Sequence, residues 1–351
     1  MIAVHPVAVT RVLLVRHGQS NFNAEGRFQG SLEEPQLTAK GWKTAVACGQ
    51  HLNHTHLDAI VCSSLQRARQ TAEGILSTYS VDNPAPPIYY DVRLREVHLP
   101  GWEGLSMQAV RQVFPDNYQM WKEYPEQLLL SPILNSSAPT PGGFSPLLDM
   151  ATRAYQFWDD LLLQRRGQTV LIVGHGTAIS VMLAIALRLP IGIVHCLQQS
   201  NGGVSSLEFF ADRTMPARAF YFNRTQHLGE ILPKMKEGRS GQRILLLSHE
   251  HASRMDWNAL LPGTSVDVIQ GLGSARVVNN RLNDRKDTVR TTAWIQPCGR
   301  LGEEIVSTLR LGSWKNLQLS VGSDTLSVLH YPRVDGWPIL QAMNIDPKPV
   351  E

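Results

Sequence analysis

Cysteine is scarce in this chain, and the few cysteines are scattered. Four occur in 351 residues, and no two of them have the spacing of a metal site: Cys48, Cys62, Cys196 and Cys298. This usage excludes a disulfide framework and predicts reduced thiols in the core. No set of His, Cys, Asp and Glu at ligand spacing accompanies them, so the sequence predicts neither a metal site nor a cofactor.

A strong charge of either sign and a long apolar run are also missing. The formal net charge is +3, from 33 Lys and Arg against 30 Asp and Glu, which is too small to predict a nucleic-acid or membrane partner. No stretch approaches the length of a membrane span, and residues 1–6 carry no basic region ahead of an apolar one. With 43% hydrophobic residues, we expect a cytoplasmic protein with a sizeable core.

The first informative motif follows a short apolar run. Val12–Val15 is continuously apolar and half β-branched, which predicts a buried strand. Arg16, His17 and Gly18 come directly after it. Ligands of open α/β sheets bind outside the carboxyl ends of the strands. An arginine there offers a planar fork of donors to phosphate oxygens, and a histidine can attack phosphorus or move a proton.

A second histidine occupies the same kind of position. Thr169–Val173 predicts another buried strand, and Gly174, His175 and Gly176 follow it, ahead of a helical stretch over 177–184. Either strand-end histidine alone is better interpreted as a hydrogen-bonded loop residue. The two together, each beside glycine, predict imidazoles that face one another across a shared anion site.

A third motif follows the predicted strand over 58–62. Ser63 or Ser64 is the expected N-cap of the next helix, which places Arg67 in its first turns. A cation is unfavourable near the positive end of a helix dipole, and a bound anion would reverse that penalty. Arg69, further along, is interpreted as part of a solvated helix face.

Two carboxylates complete the pattern. Glu96 is the candidate proton donor or counter-ion beside the histidines and arginines, whereas Glu103 is interpreted as a structural or capping residue. About forty residues separate Glu103 from the next long predicted helix, and they contain several prolines and Trp121. An insertion of this length beside a catalytic acid predicts a cap over the pocket that selects the substrate.

Taken in this order, the motifs resemble those of the histidine phosphatase superfamily, the phosphoglycerate mutase-like clan. The resemblance rests on Arg16-His17-Gly18 with Asn23, Ser64-x-Leu-x-Arg67-Ala68, Glu96 ahead of Gly-Trp-Glu-Gly, and His175-Gly176. It extends to about residue 225 of the chain. It implies a three-layer α/β/α domain of the phosphoglycerate mutase-like fold.

The resemblance also implies a role for each residue. His17 would accept the phosphoryl group as nucleophile, and Glu96 would be the general acid for the leaving oxygen. The phosphoryl oxygens would be held by Arg16, Arg67 and His175. Substrate contacts would come from Asn23, Gln29, Gly30 and Gly176.

The second part of the chain contains a weak internal sequence repeat of the first part. Ile244–His251 is similar in pattern to Val170–Gly176, and 317–329 is similar to 197–207. We interpret residues 1–228 as the catalytic domain and 240–351 as a smaller, degenerate α/β copy of the second half of that fold. The basic, glycine-containing stretch Lys234–Gly241 marks the boundary. His249 and His251 are predicted to be non-catalytic, because none of the other motifs accompanies them.

This two-part layout resembles that of cyanobacterial and plant proteins related to 2-carboxyarabinitol 1-phosphate phosphatase. It implies a phosphomonoesterase of the histidine acid phosphatase type, acting on a sugar or sugar-acid phosphate such as 2-carboxyarabinitol 1-phosphate. A cofactor-dependent phosphoglycerate mutase and a non-catalytic protein that binds phosphorylated ligands remain as alternatives. The expected partner is a small phosphorylated metabolite, and the second unit either packs on the first or builds a homodimer.

Overall fold

The apolar runs of the N-terminal half, residues 8–235, become strands in the computed structural model of the chain. The structure describes residues 8–131, 143–210, 216–235, 241–253, 255–270, 289–309, 319, 321–332 and 337–346. The strands of the N-terminal half are β1 (Thr10–Arg16), β2 (Ala59–Ser63), β3 (Ile88–Asp91), β4 (Thr169–Gly174), β5 (Val204–Phe209) and β6 (Arg218–Arg224). Both predicted buried strands are confirmed as β1 and β4.

Helices cover both faces of these strands. They are α1 (Asn21–Glu25), α2 (Ala39–Leu52), α3 (Gln66–Leu76), α4 (Met107–Val113), α5 (Pro115–Glu123), α6 (Pro146–Gln164) and α7 (Gly176–Ala186). Side chains of α6 and α7 pack with Val12 and Leu14 of β1 on one face. Side chains of α2 and α3 pack with Leu13 and Val15 on the other. The predicted three-layer α/β/α arrangement is therefore confirmed.

One expected helix start is wrong. The N-cap of α3 is Leu65, which forms no side-chain capping bond, rather than Ser63 or Ser64. The Ser63 hydroxyl lies 2.8 Å from Nε2 of His175 instead. Arg67 nevertheless falls in the first turn of α3, as predicted. The sequence around Ser63 resembles a helix cap, but the Ser63 side chain bonds to His175, 112 residues away in the chain, and does not cap α3.

The C-terminal half, residues 241–346, continues the same sheet. Its elements are β7 (Gly241–Ser248), α8 (His249–Ala252), α9 (Trp257–Leu260), β8 (Val266–Gln270), β9 (Val289–Gln296), α10 (Cys298–Thr308), β10 (Leu326–Tyr331) and β11 (Ile339–Ile345). Over the described ranges the sheet has 11 strands in the order β3-β2-β4-β1-β5-β6-β11-β10-β7-β9-β8. No helix in the described part of the chain is long and apolar enough to cross a membrane.

The C-terminal half repeats the strand arrangement of the N-terminal half. β7 lies between the parallel strand β9 and the antiparallel strand β10, just as β1 lies between β4 and β5. β8 flanks β9 as β2 flanks β4, and β11 flanks β10 as β6 flanks β5. The repeat therefore extends over five strands, more than the partial copy that the sequence suggested. Division into two domains at residues 228 and 240 stays a prediction.

The neighbours of β7 also correct its expected counterpart. The sequence comparison matched 244–251 with 170–176, that is, with β4 and the histidine after it. Because β7 has one parallel and one antiparallel neighbour, its structural counterpart is β1 and not β4. The residue patterns of two buried strands are too similar to decide between these matches. The directions of the neighbouring strands differ between β1 and β4, and they decide it.

Strand register shows which residues of the copy correspond to Arg16 and His175. Ser248 ends β7 where Arg16 ends β1, and their parallel partners are Gln296 and Gly174. The next residue after Gln296, at the place of His175, is Pro297. The copy thus has no arginine or second imidazole at these two strand ends, which favours the prediction that His249 is non-catalytic.

The two halves meet through equivalent edge strands. β6 and β11 pair antiparallel, with Phe222 opposite Met343. Each of these residues immediately precedes an asparagine with positive φ, Asn223 (φ 49) or Asn344 (φ 56). An antiparallel pairing of two equivalent strands is the geometry of a two-fold symmetric interface, here formed within one chain.

Asn223 and Asn344 make the same bonds in opposite directions across the seam, that is, the antiparallel pairing of β6 with β11. Nδ2 of Asn223 donates to the Gln341 carbonyl, and Nδ2 of Asn344 donates to the Phe220 carbonyl, both at 2.6 Å. Asparagine tolerates the left-handed backbone better than other residues that carry a Cβ. The reciprocal amide bonds therefore hold two equivalent bulged strands together.

We expect Asn223→Ala and Asn344→Ala to destabilise the protein by similar amounts, about 2 kcal/mol or more, because each variant loses a buried amide bond and places alanine, which tolerates the left-handed backbone less well than asparagine, at a position with positive φ. Asn223→Gly and Asn344→Gly keep the backbone preference and lose only the side-chain bonds, so they should cost less. Urea unfolding of the four variants measures this. A large loss of stability in the Asn223 variants and none in the Asn344 variants, or the reverse, would contradict the two-fold symmetry of the seam.

Candidate active site

The site is built where β1 and β4 end side by side. Arg16 pairs with Gly174 across these parallel strands, so the residues that follow them, His17 and His175, emerge at the same edge. Their ring centroids are 5.2 Å apart, with the planes inclined by 59°. The expectation that the two strand-end imidazoles face one another is met by this geometry.

Hydrogen bonding gives His17 a defined tautomer. Nδ1 lies 2.7 Å from the Gly18 carbonyl oxygen, and because a carbonyl only accepts, Nδ1 carries the proton and Nε2 keeps its lone pair. The Gly18 amide is in turn held by Oγ1 of Thr71 at 3.0 Å. Burial, followed by the charges of Arg67 and Arg16, holds the pKa of His17 well below its usual range. The ring is therefore neutral, and Nε2 carries a free lone pair.

His175 is neutral for the same reasons but presents a different atom. Nε2 is bonded to Ser63 Oγ, whereas Nδ1 is buried and has no hydrogen-bond partner. Burial and the charge of Arg67 hold the pKa of His175 well below its usual range. When the Ser63 hydroxyl donates to Nε2, Nδ1 carries the proton and is a free donor.

Arg67 is completely buried and fixed by two carbonyls. It donates to Gly30 O and Leu32 O, both at 2.8 Å, and its Nε has no partner. Burial lowers the pKa of Arg67 to about 10. Gly30 adopts φ +48, and a Cβ there would overlap the carboxylate of Glu103. Any other residue at position 30 would therefore disturb the loop that holds this guanidinium.

Arg16 is held from the opposite side. Its Nη1 donates to the Gln199 carbonyl at 2.8 Å, and its Nε is buried without a partner. Burial lowers the pKa of Arg16, and the charge of Glu96 opposes that change. A Cβ at Gly176 would lie 3.4 Å from Arg16 Nε. The absence of a side chain at position 176 thus leaves this face of the guanidinium open.

Glu96 faces the first turn of α7. Its Oε2 accepts from the amide of Thr177 at 3.1 Å, and Oε1 accepts from the amides of Ala178 and Val97, each at 3.0 Å. A carboxylate at the amino end of a helix is favourably placed in the helix dipole. These three donors fix the carboxylate beside the guanidinium groups.

A cavity of about 240 Å³ opens at this edge of the sheet. Five of the nine predicted site residues lie on its wall: Arg16, Gln29, Gly30, Glu96 and Gly176. Three more, His17, Arg67 and His175, are at most 1% exposed and lie behind the wall.

The ninth predicted residue, Asn23, is placed differently. Its Oδ1 accepts from the Ser20 amide and from Nδ2 of Asn201, at 3.2 Å each. Asn201 also donates to the His17 carbonyl at 2.9 Å. Asn23 is therefore linked to the His17 backbone through Asn201, and it does not line the cavity.

Glu103 and Arg69 lie outside the group of predicted site residues. Oε1 of Glu103, interpreted as structural, accepts from the amides of Ser31 and Leu99, at 2.7 and 3.1 Å. Arg69, interpreted as part of a solvated helix face, is partly exposed and ion-paired with Glu33.

Sequence reasoning missed several residues of the cavity. Arg27 and Lys122 add positive charge to the wall, and Gln198 and Gln199 belong to it as well. Trp121 of the predicted cap also lines the cavity, where its ring meets His195 edge-on at 4.8 Å. The available signal was the polar run at 198–203, an unusual composition immediately before the buried strand β5.

The site concentrates donors that lack acceptors. Nε of Arg16, Nε of Arg67 and Nδ1 of His175, a donor when Ser63 donates to Nε2, are all buried without hydrogen-bond partners among the described residues. Buried polar groups are almost always bonded, so a cluster of three orphans indicates a missing acceptor. An oxyanion with several oxygens, such as a phosphoryl group, would satisfy them. Within the described ranges, no three His, Cys, Asp or Glu side chains are grouped to hold a metal ion.

Comparison with known proteins agrees with this geometry. The family model of the histidine phosphatase superfamily (branch 1) matches residues 12–219, so the chain belongs to this superfamily. It is 33% identical over 199 residues to an Arabidopsis thaliana protein named probable 2-carboxy-D-arabinitol-1-phosphatase, covering 57% of this chain and 38% of the relative. It is 29% identical over 265 residues to 2-carboxy-D-arabinitol-1-phosphatase of Triticum aestivum, covering 75% and 50%.

A solved structure gives the same result for the fold. The vanadate (VO3) complex of a mycobacterial glucosyl-3-phosphoglycerate phosphatase superposes with a TM-score of 0.50 at 27% identity, over 61% of this chain and 99% of that one. The chain spans half or less of the length of the two plant relatives. The resemblance to this superfamily that the motifs indicated is confirmed.

Burial of the two neutral imidazoles predicts a pH-dependent stability. Below about pH 6.5 the two histidines become protonated in the unfolded chain, whereas His17 and His175 stay neutral in the folded protein because their pKa values are lowered. The free energy of unfolding should therefore fall as pH decreases, by up to about 1.4 kcal/mol per pH unit for each ring. Urea unfolding between pH 7 and 5 measures the slope, which the double variant His17→Gln/His175→Gln should reduce. The exposed His54→Gln serves as control, and an unchanged slope in the double variant would contradict buried neutral rings.

Proposed function

We propose that this protein is a phosphomonoesterase that works through a phosphohistidine on His17. The observation that carries the proposal is the set of three buried, unpaired donors beside a neutral imidazole whose Nε2 is unprotonated. Membership of the histidine phosphatase superfamily and the phosphatase names of the relatives support it.

The proposed reaction has two displacements. Nε2 of His17 attacks phosphorus and forms a P–N bond while the P–O bond to the alcohol breaks, and Glu96 gives a proton to the departing oxygen. Water then attacks the phosphoryl group, Glu96 takes its proton, and the P–N bond breaks to release phosphate and regenerate His17. The covalent intermediate divides one difficult step into two easier ones.

Electrostatic stabilisation in this scheme comes from three groups. Phosphoryl transfer places negative charge on the equatorial oxygens, and catalysis depends on positioning and on preorganised donors. Arg16, Arg67 and His175 would supply those donors from a buried environment, where their interactions are stronger than in water. Nothing in this scheme requires a metal ion, so we expect activity to survive chelation.

The cavity wall favours an acidic substrate. Arg27 and Lys122 lie on it in addition to the phosphoryl-binding arginine. Arg27 is already ion-paired with Glu25, so the wall would attract a second anionic group on the organic part of the substrate through its positive charge and not through an unpaired cation. A sugar-acid phosphate such as 2-carboxyarabinitol 1-phosphate has that chemistry, and both plant relatives are named for it.

The compartment is also part of the proposal. Cys48, Cys62 and Cys196 are buried free thiols, and the side chain of Cys298 lies outside the described residues. Burial raises the pKa of Cys48 to about 12. Unreactive reduced thiols of this kind fit the reducing cytoplasm.

We expect the protein to release phosphate from a panel of phosphate monoesters, with carboxylated sugar phosphates preferred over uncharged ones, and with EDTA present. His17→Ala should abolish turnover and the acid-labile phosphoryl label, because His17 is the described residue that combines an unprotonated, unbonded imidazole nitrogen with the donor cluster. His249→Ala is the matched control in the copied half and should retain full activity. Normal turnover by His17→Ala would refute the mechanism.

The same assay separates the alternatives. A cofactor-dependent mutase would interconvert 2- and 3-phosphoglycerate when supplied with bisphosphoglycerate and would release little phosphate. A non-catalytic binding protein would bind the esters and turn over none of them.

Removal of the acid should depend on the leaving group. Glu96→Gln should slow alkyl phosphates by roughly 100-fold or more, because an alkoxide needs a proton as it leaves. Aryl phosphates with activated leaving groups should be affected far less. Steady-state kinetics on both classes measures the difference, and an equal loss on both would show that Glu96 only shapes the site.

A further inference from the structure

One loop of the active site is held by the C-terminal half. The Leu197–Gly203 loop runs beside β11, and the backbone N–H of Gln198 donates to the Leu340 carbonyl at 3.0 Å. The Gln198 side chain accepts from Nε2 of Gln341 at 3.1 Å and donates to the Lys234 carbonyl at 2.8 Å. Gln198 and Gln341 are both at least 98% buried. These bonds leave the loop little freedom.

The same loop supports the reacting groups. The Gln199 carbonyl accepts from Arg16, and Asn201 donates to the His17 carbonyl. Ile339, the first residue of β11, reaches the wall of the catalytic cavity. The C-terminal half thus contacts the active site through one wall residue and through a fixed loop.

The loop also presents a side-chain amide whose Nε2 has no hydrogen-bond partner among the described residues. Gln199 is 2% exposed and lies on the cavity wall. Its Nε2 is buried without a partner, and its side chain forms no hydrogen bond to any described residue. The neighbouring Gln198 uses both its amide atoms. A buried amide that is unpaired in one residue and fully paired in the next indicates a missing ligand.

We propose that Gln199 is a substrate-binding residue whose amide donates to an oxygen of the bound monoester, and that Gln341 of the C-terminal half is its positioning residue. The degenerate copy is then a working part of the active site, although its own strand ends carry no catalytic set. The proposal rests on the proposed function for the identity of the ligand, and its geometry is independent of it.

Gln199→Leu tests the first part. This change keeps the size of the side chain and removes the amide, so kcat/KM should fall about tenfold to a hundredfold, the loss typical of a hydrogen bond to a charged group. An aryl phosphate offers only phosphoryl oxygens, whereas a sugar phosphate also offers hydroxyls. A loss on both esters assigns the amide to the phosphoryl group, and a loss on the sugar phosphate alone assigns it to a hydroxyl. Unchanged kinetics on both would overturn the assignment.

Gln341→Leu tests the second part. It should raise KM more than it lowers kcat, and its effect should not add to that of Gln199→Leu in the double variant, because both act on the same contact. Gln242→Leu is the matched control. Gln242 is a buried glutamine of the C-terminal half whose side chain donates to Thr292 at 3.2 Å and forms no hydrogen bond to the described Leu197–Gly203 loop. It should lose stability in urea without any change in KM.

Orthovanadate binding keeps this test separate from the test of the proposed function. The wild-type protein should bind orthovanadate whether or not a given ester is turned over, and calorimetric titration gives its affinity. Where Gln199→Leu lowers turnover of both esters, Gln341→Leu should weaken vanadate binding severalfold while Gln242→Leu leaves it unchanged. Equal affinities in Gln341→Leu and the wild type, together with additive kinetic effects, would show that the C-terminal half contributes stability alone. Failure of turnover with normal vanadate binding would instead contradict the proposed function.

Discussion

The rest of this structure depends on the burial of positive charge at one edge of the sheet. Two guanidinium groups and two imidazoles lie together, and Glu96 is the carboxylate that most favours the charged form of both arginines. One carboxylate cannot compensate two desolvated cations, so backbone carbonyls must hold them. Those carbonyls come from Gly30, Leu32 and Gln199. The loops that carry them, 26–32 and 197–203, therefore have to be rigid.

Much of this site was predictable because several of its polar residues follow directly after buried strands. An apolar run specifies a buried strand, and residues directly after two parallel strands share an edge. This is enough to bring His17 and His175 together, and the order of the motifs adds Arg67 and Glu96. The fold class followed from the resemblance that the same motifs carry to the histidine phosphatase superfamily. These features are local in the sequence, and they survive because tertiary packing agrees with them.

The unpredicted features all depend on contacts between distant residues. Ser63 resembles a helix cap, but its hydroxyl is used by His175, far along the chain. The repeat in the C-terminal half was visible as a pattern, yet only the direction of the neighbouring strands shows that β7 corresponds to β1. Likewise Gln198 and Gln199 are adjacent and chemically identical. Their different roles arise from β11, about 140 residues later, and no sequence window contains both.

The pairing of β6 with β11 has a consequence for how the protein responds to dilution. Separate subunits that met through this edge would come apart at low concentration, and an unpaired edge strand would then be open to wrong partners. Here the two equivalent strands belong to one chain, so the local concentration of the second edge is set by the connecting segment and not by the amount of protein. Specific activity should therefore stay constant on dilution, as in a dimer that never dissociates.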